Sequence, residues 1–142
     1  MTERPPNREP LDALLNQLLP FAQQCLAKYG EFHPFGAALK QDGEMGLIAA
    51  DPGEEDRESQ VVIDMMLDGM KQNRDQYLAV GICCDVLGML PGETKKTDMI
   101  QVSLEHRDGT ALDVLMPYRK RRFLGVRYEE LVAVQGTPAV FI

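Results

Sequence analysis

Two histidines and three cysteines are the side chains of this sequence best suited to acid–base or nucleophilic chemistry. Histidine is the side chain best suited to general acid–base catalysis near neutral pH, so His33 or His106 beside a carboxylate would suit a small hydrolase or transferase. Neither lies in a local pattern that supplies a nucleophile, and Pro34 favours an extended conformation at His33. The adjacent pair Cys83-Cys84 lacks C-x-x-C spacing. We therefore expect structural roles for these residues, and the histidine enzyme is the alternative.

Two charged runs in the sequence are candidate sites for ions or anionic ligands. The acidic run DPGEEDRE, residues 51–58, lacks the alternating ligands of a calcium loop, so it is better explained as the capped start of a helix. No metal or cofactor site is predicted. The basic run after Pro117 is a candidate site for an anion or a nucleotide. A solvated loop, or an internal match for the acidic helix, is the simpler interpretation of its four residues: Arg119, Lys120, Arg121 and Arg122.

Charge and composition narrow the class of protein. The net charge is −7, with 10 basic and 20 acidic residues in 1–118 but 5 basic and 2 acidic residues in 119–142. An acidic surface disfavours binding to nucleic acid. No apolar run is long enough to cross a membrane, and the start of the chain does not have the pattern of a signal peptide. Since unpaired thiols also fit a reducing compartment, we expect a cytoplasmic protein.

The helices follow from apolar spacing. Residues 1–10, with three prolines, predict a flexible segment, and residues 11–142 predict one domain. A helical stripe from residue 11 to residue 29 ends at Gly30, and Pro20 predicts a kink or two short helices in tandem. A second helix is predicted over 53–73, capped by Asp51. Its buried stripe consists of Val62, Met65, Met66, Gly69 and Met70.

Two hairpins are predicted from alternating residues on either side of an Asp-Gly pair. Each takes a three-residue loop, 41–43 or 107–109, with the glycine in the left-handed conformation. These loops place apolar residues opposite each other in both ladders: Leu39 with Met45, Ala37 with Leu47, Leu104 with Leu112, Val102 with Val114 and Ile100 with Met116. A further strand is predicted over 77–86, with its larger apolar residues facing the helices. Residues 126–135 fit either a helix or a strand, and TPAVFI predicts a last edge strand.

The opposite face of this sheet is the candidate docking surface. It would combine small residues with scattered polar ones, which suits a flat contact with another protein. A solvated face is the plain alternative, and Glu105 with Asp113 as a metal or acid–base pair is another. The candidate partner-binding residues are Tyr77, Gln101, Ser103, Glu105, Asp113 and Leu115.

The predicted fold is α+β, with an antiparallel sheet of about five strands and both helices packed on one face, in the order α-β-β-α-β-β-β. This order resembles that of roadblock and profilin-like small domains over residues 11–118. FGAALKQDGEMGLIAAD is similar to the roadblock hairpin that precedes the second helix. Roadblock domains are dimerising scaffolds, so the resemblance implies partner binding. We expect a non-catalytic protein-interaction or adaptor module, forming a homodimer or binding another protein, with a small enzyme or an anion sensor as alternatives.

Overall fold

A computed structural model describes residues 8–49 and 59–142, which form two α-helices and seven strands of antiparallel sheet. In chain order the elements are α1 (Arg8–Tyr29), β1 (Phe35–Lys40), β2 (Met45–Ala49), α2 (Ser59–Gln72), a short 3₁₀ helix (Arg74–Gln76), β3 (Tyr77–Gly88), β4 (Thr97–His106), β5 (Ala111–Arg121), β6 (Gly125–Tyr128) and β7 (Val132–Gln135). The strand order is β2-β1-β3-β4-β5-β6, and β7 also pairs with β5. The α+β class and the antiparallel sheet are as predicted. The sheet has seven strands instead of five.

Both predicted hairpins form in the predicted register. Leu39 pairs with Met45 and Ala37 with Leu47 in the first hairpin. The second pairs Leu104 with Leu112, Val102 with Val114 and Ile100 with Met116. Gly43 and Gly109 have φ of 92° and 95°, so each loop places its glycine in the conformation that other residues rarely adopt.

The helices lie on opposite faces of the sheet, so the prediction that they share one face is wrong. The cluster around α1 includes Ala37, Ala79 and Cys83. The cluster around α2 includes the neighbouring residues Ala38 and Val80. Because successive residues of a strand point to opposite faces, β1 and β3 are buried on both sides.

Small residues on β3 explain the error. Gly81 lies under α1, where an added Cβ would come within 2.7 Å of Leu18 Cδ1 and 3.0 Å of Leu104 Cδ2. The absence of side chains here lets the helix approach the sheet closely. The small residues of this strand were predicted to form an open face, whereas α1 packs directly against them.

The ends of the helices also differ from the prediction. Helix α1 begins at Arg8, inside the segment expected to be flexible, and continues through the exposed Pro20, so it is not two helices. Gly30, with φ of 76°, ends it by donating its amide to the Leu26 carbonyl. In α2, Met65 and Gly69 are exposed, unlike the predicted stripe. The proposed cap at Asp51 and the acidic run 51–58 lie outside the described residues.

The last third of the chain completes the sheet. Within residues 126–135, residues 126–128 belong to β6 and residues 132–135 to β7, so this segment is strand and not helix. Strand β5 pairs with β7 over Leu112–Leu115 and with β6 over Tyr118–Arg121, so it is shared by both. Residues 136–142 do not form a strand, although the sequence predicted a last edge strand there.

Candidate functional site

The face of the sheet beneath α2 carries the residues predicted to bind a partner. Ser103 is directly opposite Asp113 in the ladder between β4 and β5, and Gln101 is opposite Leu115. Tyr77 packs against the apolar cluster around α2. This face is not a bare surface, because α2 and residues 136–142 cover part of it. The space left between them is a cavity rather than a flat docking plane.

Glu105 anchors the end of the chain, residues 136–142, which we call the C-terminal tail. Its carboxylate accepts hydrogen bonds from the amides of Ala139, Val140 and Phe141, at N–O distances of 2.8 to 3.1 Å. The Glu105 side chain is buried, and Val140 is fully buried. Three amide donors compensate for the burial of this carboxylate, so the role of Glu105 is to hold the tail against the sheet. Its oxygens are therefore engaged, which argues against an acid–base or metal pair with Asp113.

The cavity on this face has a volume of about 250 Å³. Ile63 and Leu67 of α2 form one side, together with the apolar residues of β3. The C-terminal tail contributes Thr137, Ala139 and Val140 on the other side. Its polar floor consists of Gln101, Ser103 and Asp113. The cavity can therefore hold a small molecule that has one apolar side and one polar end.

A second candidate site is the hairpin of β5 and β6, which contains the predicted basic run. Arg119 and Arg121 lie on one face of β5 and Lys120 on the other, while Arg122 belongs to the turn that follows. The ladder places Arg127 of β6 directly opposite Arg119. Arg127 is not part of the predicted site, because only the register of β6 brings it beside the basic run. Facing like charges are unfavourable, and Glu129 Oε1, 3.7 Å from Arg127 Nε, offsets part of this repulsion. The two guanidinium groups therefore suit a further anionic group bound between or beside them.

The tip of this hairpin is apolar and exposed. Phe123 is 93% exposed and has a φ of 72°, and the next residue, Leu124, is 68% exposed. The guanidinium of Arg122 lies 5.6 Å from the centre of the Phe123 ring, and Arg121 donates to the Leu124 carbonyl at 2.9 Å. The sequence signal for this feature was RRFLG, two large apolar residues between arginines and a glycine, which was interpreted only as part of a basic loop.

A tyrosine–carboxylate pair lies on the α1 side of the sheet. Tyr118 donates its hydroxyl to Asp85 Oδ1 at 2.6 Å. Burial raises the pKa of Asp85, although the hydrogen bond from Tyr118 lowers it and Asp98 raises it further. Burial, and then the bond to Asp85, raises the pKa of Tyr118. The two residues are 33 positions apart in the sequence, so only the tertiary structure brings them together.

The histidines do not form a catalytic pair among the described residues. His106 is nearly buried at the β4–β5 turn, where its Nδ1 accepts the Asp108 amide at 3.1 Å. The Asp108 carboxylate lies 3.2 Å from the same nitrogen and pairs with it ionically only when that nitrogen is protonated. His33 is exposed in the segment between α1 and β1, and no ion pair joins it to a carboxylate of the described residues.

The cysteines behave as packed thiols. Cys83 is buried against α1 and Cys84 is half-buried on the other face of β3. Burial raises the pKa of Cys84 to about 11 and raises that of Cys83 further. Both thiols are therefore protonated at neutral pH, which argues against a nucleophilic role.

Comparison with known proteins identifies no relative: no family model, no curated protein and no solved structure matches this chain. Over residues 8–49 and 59–142, no helix has the length and hydropathy needed to cross a bilayer. In the same residues, no three His, Cys, Asp or Glu side chains are grouped so that they could ligate a metal ion.

Proposed function

We propose that this chain is a non-catalytic, cytoplasmic protein-interaction module that forms a homodimer through its β5–β6 hairpin. The observation that carries the proposal is the hairpin tip, where Phe123 and Leu124 project into solvent beside arginines. Large exposed apolar residues rimmed by charge are typical of surfaces that bind other proteins. The free cysteines support a reducing compartment.

A partner that buries the hairpin tip would gain free energy of binding from it. Burying a phenylalanine side chain contributes about 1.5–3 kcal/mol, and Phe123 makes almost none of that gain within its own chain. Its positive φ costs a further ~1–3 kcal/mol, which natural structures tolerate mainly at functional positions. A partner with an apolar recess would therefore stabilise this conformation.

The charges around the tip specify the partner. Arg119 faces Arg127 across the ladder, and Arg121 lies on the same face of β5. Within the chain, Glu129 pairs with Arg127 at 3.7 Å, and carboxylates from a partner would relieve the remaining repulsion and form bidentate pairs with the guanidinium groups. The matching surface must therefore combine exposed apolar side chains with acidic ones.

The outer face of α2 has this composition. Val61 and Met65, one turn apart, are 46% and 52% exposed. Asp64 and Asp68 are exposed at the same helical spacing. A second copy of the chain thus offers both halves of the contact, and a symmetric dimer would make the contact between hairpin and helix twice.

Charge reversal provides the test. We expect the wild-type chain to sediment as a dimer. Two variants, Arg119→Glu/Arg127→Glu on the hairpin and Asp64→Lys/Asp68→Lys on α2, should each weaken the dimer at least about tenfold, since each places like charges in both contacts. An equimolar mixture of the two variants should dimerise again, because both contacts then join opposite charges.

The matched control is Lys95→Glu/Lys96→Glu, a reversal of the same size on exposed residues of the loop between β3 and β4. It should leave the dimer intact. A wild-type chain that remains monomeric at millimolar concentration, or a mixture that fails to dimerise, would overturn the proposal.

The facing arginines favour one second candidate function, the sensing of an anion or nucleotide. In that case the protein would be a monomer that binds inorganic phosphate or ATP, with an affinity that falls steeply with salt and is lost in Arg119→Ala/Arg127→Ala. Binding that persists in this variant would exclude the candidate. The histidine enzyme has no comparable support, because His106 is engaged by its own turn and His33 has no acidic partner among the described residues.

A further inference from the structure

The cavity between α2 and the C-terminal tail is separate from the hairpin and has its own chemistry. The ladders arrange its floor in rows across three strands. Ile82 of β3 is opposite Ser103 of β4, which is opposite Asp113 of β5. One row therefore runs from an apolar side chain through a hydroxyl to a carboxylate. The cavity is apolar beneath α2 and polar towards β5.

Asp113 is the carboxylate of this cavity that is available to a ligand. Glu105, the other carboxylate of the lining, is engaged by three amides of the tail. No hydrogen bond or ion pair engages the half-buried Asp113 carboxylate within the described part of the chain. No lysine or arginine is among the described residues that line the cavity. A carboxylate in such a place favours a cationic ligand and repels an anionic one.

The backbone beside Asp113 is held close enough to shape the cavity. A Cβ added at Gly136 would lie 3.2 Å from Asp113 Oδ1 and 3.1 Å from the Leu112 amide nitrogen. Gly136 also donates its amide to the Ala111 carbonyl at 3.1 Å. The carboxylate thus lies against glycine at the start of the tail, whose later residues Glu105 anchors. The tail side of the cavity is therefore fixed at both ends by contacts already present in the chain.

We propose that this cavity binds a small primary ammonium ion with an apolar body. The ammonium group would donate to the Asp113 carboxylate and to the oxygens of Ser103 and Gln101, and the apolar body would lie against Ile63 and Leu67 of α2. The volume of about 250 Å³ is below the ~300 Å³ at which sites for drug-sized ligands begin. The ligand is therefore an alkylamine or arylalkylamine of roughly ten non-hydrogen atoms.

Three probes of similar shape separate charge from apolar contact: 2-phenylethylammonium, neutral 2-phenylethanol and anionic 3-phenylpropionate. Calorimetric titration should show binding of the ammonium ion, at least fivefold weaker binding of the alcohol and no binding of the anion, since only the first pairs with a carboxylate. Amide resonances of 101–105 and 111–115 should shift with the ammonium probe. Equal binding of the ammonium ion and the alcohol, or no binding of the ammonium ion at ~10 mM, would overturn the proposal.

Variants locate the site. Asp113→Asn should weaken binding of the ammonium probe at least fivefold, whereas Asp98→Asn, which removes an exposed carboxylate from the other face of β4, should leave it unchanged. Leu67→Trp, which fills the cavity from α2, should also abolish binding, so the proposal stays testable if Asp113→Asn unfolds. Unchanged binding in Asp113→Asn or in Leu67→Trp would refute it. None of these outcomes depends on the hairpin dimer.

Discussion

Replacing Glu105 by alanine should release the C-terminal tail. In the folded chain, the Glu105 carboxylate accepts the amides of Ala139, Val140 and Phe141, and Val140 is fully buried. Without the carboxylate, these three amides lose their acceptor. The tail then either stays on the sheet with unsatisfied amide donors or detaches from the sheet. Detachment sets an upper limit to the loss of stability.

The size of that limit follows from the contacts. Three hydrogen bonds to a charged acceptor contribute roughly 2 kcal/mol each. Burial of Val140 adds about 2 kcal/mol. Ordering about four residues of the tail costs roughly 5 kcal/mol. The docked tail is thus worth about 3 kcal/mol, and Glu105→Ala should lower the free energy of unfolding by that amount.

Urea unfolding measures this loss, and a double-mutant cycle tests its cause. A chain that stops at Pro138 should lose about the same stability, and adding Glu105→Ala to it should cost less than ~0.5 kcal/mol, because the carboxylate then has no tail to hold. Glu105→Gln, which keeps one acceptor oxygen, should fall between wild type and Glu105→Ala. Additive losses in the cycle, or amides at 139–141 that exchange with deuterium as fast as unprotected ones in the wild type, would refute the reasoning.

Three further outcomes follow from single contacts. Because burial raises the pKa of Asp85 above its usual 3.8, its ionised form destabilises the fold; Asp85→Asn should therefore gain stability over wild type at neutral pH, and the gain should shrink as the pH falls towards 4. A gain in urea unfolding that grows on acidification would contradict this. Cys84, with its pKa raised to about 11 from 9.0, should react with iodoacetamide at pH 8 roughly 100-fold more slowly in the native protein than in urea, as followed by mass spectrometry; equal rates would contradict its protonated state. Gly81→Ala should lower the free energy of unfolding by about 1–3 kcal/mol, seen as a lower thermal midpoint, because its Cβ meets Leu18, whereas Gly46→Ala, with open space around it, should be nearly neutral; equal effects would show that α1 does not approach so closely.

The hairpins show how far sequence reasoning reaches. Each is governed by a few consecutive residues: alternation sets which side chains share a face, and a glycine at positive φ sets the loop length. Both registers were therefore predictable, as were the end of α1 at Gly30 and the α+β class. The sequence also predicted that α2 is a helix. Met65 is nevertheless exposed, because the buried stripe of α2 is narrower than the apolar composition of the helix suggests.

The candidate sites depend on contacts between residues far apart in the sequence, which local sequence patterns do not reveal. The sequence identified the basic run, yet Arg127 joins it only through the pairing of β6 with β5. It placed Ser103 and Asp113 on the same face of the sheet, yet α2 and the tail cover part of that face and turn a surface into a cavity. Glu105 was interpreted as part of a docking face because the backbone amides that donate to its carboxylate lie 34 to 36 residues later in the chain.

The sequence by itself determined the strands, their turns and their pairing within each hairpin, because these depend on residues close together in the chain. Only the tertiary structure decided which face each helix covers. Ala79, Gly81 and Cys83 are small, and a small side chain is equally compatible with an open surface and with a close helix–sheet contact. The choice was made by Leu18 and its neighbours on α1, more than 60 residues away, which fill the space that those small residues leave.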